Sequence, residues 1–178
     1  MAATVNIVRL TGAGPTATTI TSINTRANAE DAHSTAGVTN PIQIPAAGSN
    51  FSYWVTTRLI IDVAPTGTIN NLKWYTDGTN TLGTGVTCVG NAAGGYVQAT
   101  GTAGTTGTEL NQANHAQLSA SVTTVFSFTA AGALSISGST AAGTGQIGNY
   151  MVYQFQVGTT ASPGATGSET FTWRFDET

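Results

Sequence analysis

Between residues 51 and 63 the side chains alternate in character. The odd positions are Phe51, Tyr53, Val55, Thr57, Leu59, Ile61 and Val63, and the even ones include Ser52, Thr56, Arg58 and Asp62. A period of two places successive side chains on opposite faces, so this run predicts a strand with one buried face and one wet face. Residues 147–157 repeat the pattern, with Met151, Tyr153, Phe155 and Val157 opposite Gln154 and Gln156. Residues 168–175 do so again, with Phe171, Trp173 and Phe175 opposite Thr170, Thr172 and Arg174. The spacer between these two runs is too long for a two-residue turn, so it predicts a long hairpin loop or a crossing between sheets.

Weaker alternation predicts strands at 4–10, 68–75, 95–99 and 120–130, and short ones at 18–23, 86–89 and 134–137. Helical periodicity is confined to 25–33 and 108–118, two or three turns each, with Thr108 placed to cap the second. The 22 glycines and the abundance of β-branched Thr oppose anything longer. About eight to ten short strands separated by turns predict an all-β fold, an antiparallel β-sandwich. A jelly roll is the leading form, because the long connection between Val89 and Ser119 suits a Greek-key crossover. An immunoglobulin-like sandwich is the alternative, although the Cys–Trp–Cys marker of antibody domains is absent. Residues 1–178 read as a single domain with long Gly/Thr/Ala-rich surface loops at 90–107 and 138–145. A split near residue 100 would leave neither half enough strands to close a core. Residues 1–12 are a candidate N-terminal arm.

Charge narrows function. The chain has five Lys or Arg and eight Asp or Glu, 7% of its residues against roughly 25% in an average soluble domain. The basic residues Arg9, Arg26, Arg58, Lys73 and Arg174 are scattered, so no basic stripe neutralises phosphates and nucleic acid is not an expected partner. No segment approaches the ~20 apolar residues of a membrane-spanning helix. The lone Cys88 can form neither an internal disulfide nor a thiolate metal cluster, and reads as a small buried hydrophobe. The N-terminal run, interrupted by Thr4, Asn6 and Arg9, lacks a signal peptide's apolar core. Cytoplasmic synthesis combined with a hydroxyl-rich, Lys-poor surface is reconciled by one class, a virion protein made in a host cytoplasm and later exposed outside it.

Groups able to carry chemistry are few. Glu30, Asp31 and His33 form a titratable cluster, but with one His they fall short of a two-His helical zinc motif. His115 and Ser119 lack the orienting carboxylate and strained elbow of a nucleophilic triad. Asp77 to Asn80 resembles a fragment of a calcium loop and reads better as a turn. Asp176 and Glu177 read as a solvated tail. Lys73 in Asn70-Asn-Leu-Lys-Trp74 would suit an isopeptide bond only beside a buried acid. The expectation is no catalytic residue, no metal and no cofactor. Aromatic residues carry more weight: Trp54 and Tyr150 share the polar faces of their strands, where an exposed ring binds a sugar or a neighbouring subunit. With Val5, Ile7 and Val8 of the N-terminal run they are the candidate interface residues.

The runs Asn149-Tyr-Met-Val-Tyr-Gln-Phe-Gln-Val157, Ala161-Ser-Pro-Gly164 and Glu169-Thr-Phe-Thr-Trp-Arg-Phe-Asp-Glu177, with Thr57-Arg-Leu-Ile-Ile-Asp62 and Ile69-Asn-Asn-Leu-Lys-Trp-Tyr75, cover about a third of the chain. Together they resemble small β-rich virion proteins of tailed bacteriophages, a class that includes capsid decoration (cement) proteins. The resemblance implies a shell-stabilising role through non-covalent contacts, with the major capsid protein or other virion proteins as partners, and a homo-oligomer such as a trimer. It implies no site residues. The alternatives are a carbohydrate-binding or adhesive module associated with a tail or fibre, and a pilus-like or surface-layer subunit.

Overall fold

The computed structural model describes residues 2–35, 39–139, 143–164 and 166–178. Twelve strands follow in chain order. They are β1 (Thr4–Thr11), β2 (Thr16–Thr19), β3 (Ser49–Phe51), β4 (Val55–Val63), β5 (Ile69–Tyr75) and β6 (Val86–Ala93), then β7 (Gly101–Thr102), β8 (Thr106–Gly107), β9 (Thr123–Thr124), β10 (Leu134–Ser135), β11 (Gly145–Gly158) and β12 (Thr172–Glu177). Every pairing is antiparallel. A seven-stranded sheet runs β2-β1-β4-β11-β6-β9, with β3 also on β11; a smaller sheet runs β10-β5-β12, and β7 and β8 form a separate hairpin. The chain is an all-β sandwich. β11 and β12 lie in different sheets, so their spacer is a crossing between sheets. Among the described residues no helix is long and apolar enough to cross a membrane.

The core between the sheets follows from alternation. From the large sheet come Leu59, Ile61, Cys88, Ile147, Met151 and Tyr153, and from the small one Ile69, Leu72 and Trp74. Aromatic rings join the layers: Phe171, just before β12, lies 5.1 Å from Trp74 and, edge-on, 4.8 Å from Tyr153. Edge-to-face packing of this kind contributes about 0.5–1.5 kcal/mol per pair beyond area burial.

Two bulges break the alternation where it would otherwise fail to serve the core. In β5 the register slips opposite Arg174 and Asp176, and Asn71 takes φ +50°. The extra residue lets Ile69 and Leu72, three apart, both point inward. Asn71 tolerates the left-handed conformation, and its Nδ2 donates to Asp176 Oδ2 at 2.7 Å. In β11 the register slips between Ile147 and Met151. Gly148 there has φ +70°, and a Cβ would run into Leu72 Cδ1, so glycine is required on both counts. Arg58 fills the opening: its Nε donates to Gly148 O at 2.6 Å, and its guanidinium lies 4.7 Å from the Tyr150 ring centroid.

The second face of the large sheet is not wet. Residues 94–122, irregular chain apart from the β7–β8 hairpin, fold over it. Tyr53, Trp54, Ala93, Ala99, Leu110, Leu118 and Val152 form a second apolar cluster beneath that layer. Gln154, fully buried at the centre of β11, fastens the layer down. Its Oε1 accepts from Leu110 N at 2.7 Å, and its Nε2 donates to Ser52 O and Thr108 O, both at 2.7 Å. The chain comes close enough here that a Cβ at Gly107 would strike the Ser52 carbonyl oxygen.

Several expectations change accordingly. Residues 25–33 and 108–118 contain no helix. In the second, the Asn111 side chain accepts from Ala113 N and Asn114 N at 3.0 Å, an Asx turn that competes with helical bonding. Residues 95–99 are loop, and 120–130 reduce to β9 and a 3-10 turn at Val125–Ser127. The 51–63 run breaks at 52–54, where Ser52 pairs with Phe155 through backbone and hydroxyl. Of the 138–145 loop, residues 140–142 lie outside the described residues.

Replacing Gln154 with Ala strands one buried N–H and two buried carbonyls. The expected loss is roughly 2–3 kcal/mol of unfolding free energy, read by chemical denaturation. An unchanged midpoint would show that water or repacking satisfies those groups.

Candidate functional site

The sequence-derived interface residues divide on burial. Val8 and Trp54, 2% and 3% exposed, lie inside the chain's own fold, and the Trp54 indole donates to Val97 O at 3.0 Å. Neither is at a surface; Trp54 lies in the apolar cluster beneath the loop layer, on the face that alternation predicts to be wet. Val5 and Ile7 are half-buried against the sandwich core. Tyr150 is half-buried beneath Arg58, which donates to its hydroxyl at 3.1 Å. The run proposed as an arm is paired on both sides, with β4 and with β2.

The titratable candidates are occupied in holding the chain together. Glu30 accepts from the side-chain amides of Asn28 and Asn40, and Asp31 Oδ2 accepts from Gly12 N at 2.8 Å. Close by is Arg9, 1% exposed; among the described residues its one side-chain hydrogen bond runs from Nη1 to Arg26 O at 3.3 Å, and its Nε has no partner. Burial lowers its pKa, while Tyr153, Asp31, Glu30 and Tyr96 act in the opposite sense. Burial, reinforced by Asp31, pushes the Tyr96 phenol up to about 12. Asp77 closes a turn by accepting from Thr79 N at 2.8 Å. Lys73 donates to Ser135 Oγ at 2.6 Å in an exposed setting, with no buried acid bonded to it. Cys88 is fully buried, which raises its thiol pKa well above the ordinary value. Among the described residues no group of three or more His, Cys, Asp or Glu side chains is placed to hold a metal ion.

His115 is fully buried at an edge-on distance of 5.5 Å from Trp54, and neither ring nitrogen has a hydrogen-bond partner among the described residues. Ser119 N is bonded to Ala92 O on the strand and is not drawn into a pair with it. Burial lowers the imidazole pKa below its ordinary 6.5. His33 shifts the same way, through burial first and Arg9 second.

What the structure gathers at a surface is the outer face of the small sheet. Leu72 and Trp74 point inward, so Lys73 and Tyr75 point outward. Lys73 pairs with Arg174 on one side and with Ser135 on the other, and Tyr75 pairs with Thr172. Two of the five cations therefore stand directly opposite each other, a repulsive cross-strand arrangement. Arg174 has no hydrogen-bond or ion-pair partner among the described residues. At the end of this face lies an open cleft of about 340 Å³, lined by Tyr75, Thr76, Asp77, Thr129, Thr170 and Thr172 among others. Alternation within each run places these side chains outward, but Lys73 and Arg174 are a hundred residues apart. Only the strand pairing brings them together.

Comparison with known proteins finds no family model, no curated protein and no solved structure that matches this chain.

His115 yields a stability prediction. A pKa lowered by folding means that the unfolded chain binds a proton the native chain refuses. Its contribution is complete above pH ~6.5 and is lost as the pH falls towards the lower native value. Denaturation midpoints should therefore drop between pH 7 and pH 5. His115→Phe should flatten that slope and at pH 7 be no less stable than the parent, because it removes two unpaired polar atoms. An unchanged slope would place the acid sensitivity elsewhere.

Proposed function

We propose that this chain is a structural protein of a bacteriophage virion, of the capsid decoration type, acting through non-covalent contacts and without chemistry. One observation carries the reading: all eight carboxylates accept hydrogen bonds from neutral donors of the chain itself. Glu30 takes the Asn40 amide, Asp31 takes Gly12 N, and Asp62 takes the Asn6 amide. Asp77 and Glu109 take donors two residues on. Glu169 takes Thr81, Asp176 takes Asn71, and Glu177 takes Ala3 N. Charge is thereby committed to internal fastening. The remaining surface is dominated by hydroxyls, amides and small side chains, which crowd against identical copies without mutual repulsion.

Open strand edges add to this. β2, four residues of Thr and Ala, ends the large sheet, and β12 ends the small one. Each edge presents unpaired backbone groups to which another chain can add. Partners of this kind are further copies of the chain, the major capsid protein or other virion proteins. Many weak contacts across a lattice sum to strong binding.

Light scattering over a concentration series tests the reading. A discrete oligomer or a concentration-driven polymer is expected. It should persist in 1 M salt, where the screening length is about 3 Å and surface ion pairs are lost. A strict monomer at every concentration overturns self-assembly as the driving force. Dissociation by salt would show that charge, and not the neutral surface, makes the contacts.

A further inference from the structure

We propose that the outer face of the β10-β5-β12 sheet binds an acidic saccharide, a pyranoside bearing a carboxylate or a sulfate. The inference goes beyond the assembly reading and does not rest on it.

Three observations on one surface carry it. The first is the Lys73–Arg174 pair. Like charges directly opposite each other on antiparallel strands destabilise a sheet, and a chain with five cations has no general need to juxtapose two of them. The repulsion is relieved when an anion sits between the two groups. Lys73 already spends one of its three donors on Ser135 Oγ, which fixes its position and leaves two. The free guanidinium of Arg174 presents a planar fork suited to the two oxygens of a carboxylate or sulfate.

The second is the neighbouring row. Tyr75 and Thr172 are directly opposite each other, two residues along the sheet from the cation pair and on the same outer face. The partly exposed Tyr75 ring offers a flat apolar platform for the C–H face of a sugar, while its hydroxyl has no partner among the described residues. The Thr170 and Thr172 hydroxyls are likewise unbonded among the described residues.

The third is the cleft. Its volume of about 340 Å³ sits at the lower end of small-ligand sites. Tyr75 and Thr172 belong both to the cleft and to the row beside the cations, so cleft and cation pair form one continuous surface. Asp77, two residues beyond the end of β5, also lines the cleft. One of its oxygens is engaged by Thr79 N, and the other is free to accept from a sugar hydroxyl. Cations at one end, an aromatic platform between, and hydroxyls with a carboxylate at the other match a sugar with its acidic group at one end. A purely acidic peptide would use the cations and leave the cleft empty.

The test is isothermal titration of the intact protein with trigalacturonate, a sulfated trisaccharide, the neutral galactotriose and a hexaglutamate peptide. At least one acidic trisaccharide is expected to bind about tenfold or more tighter than galactotriose, and to weaken as salt rises. Lys73→Gln with Arg174→Gln should abolish the preference for the acidic sugar. Tyr75→Ala should weaken acidic and neutral sugars alike. These positions are on the outer face, so the variants should keep the parent's melting temperature, and the double variant should not fall below it once the repulsion is gone. Failure of both acidic trisaccharides to bind overturns the proposal. So does equal binding of hexaglutamate that survives Tyr75→Ala, which would identify the surface as a contact for an acidic protein. Neither result bears on the oligomeric state that tests the assembly reading.

Discussion

A single buried carboxamide holds the two halves of this architecture in register. Gln154 sits on the central strand with Tyr153 beside it in sequence, and the two side chains leave β11 on opposite faces. Tyr153 enters the aromatic cluster that joins the two sheets. Gln154 reaches into the loop layer and satisfies three backbone groups that would otherwise be buried without partners. A loop layer over a sheet face faces a general difficulty, because irregular chain carries backbone donors and acceptors with no ladder to pair them. A side chain able to accept and donate at once resolves it at one point. From there the chain can close over Trp54, Leu110 and Leu118 and form its second apolar cluster.

The same economy governs the charges. Each carboxylate accepts from a backbone N–H, an amide or a hydroxyl, and among the described residues none forms an ion pair with a cation. Hydrogen bonds to a charged acceptor are worth about 1.5–3 kcal/mol, more than most surface ion pairs contribute. The cations follow separate courses. Arg9 is buried, Arg58 plugs the β11 bulge, and Lys73 and Arg174 are left facing each other on the outside. That division is why one surface proposes itself as a ligand site while the rest of the exterior reads as packing material.

Alternation made β4, β11 and β12 legible before any coordinates, because their inward residues are large and their outward ones polar. It was weakest in β5, and the structure shows why: the Asn71 bulge shifts the parity, so Leu72 falls where a regular strand would put a solvent-facing residue. It misled at Trp54 and Thr56, both buried, since a period of two says which residues share a face and nothing about what covers that face. The helical expectation at 108–118 failed for a local reason, the Asx turn at Asn111.

By itself the sequence determined that this chain would be built of antiparallel strands, with few charges. Those properties follow from the order and kind of neighbouring side chains, and neighbouring residues are what local backbone physics reads. The tertiary structure alone decided that the second sheet face would be covered, that two bulges would reset the inward residues, and that Lys73 would meet Arg174 beside Tyr75. Each of these depends on which strand lies next to which. That choice is made by the summed burial and hydrogen bonding of segments more than a hundred residues apart, and no window along the chain contains it.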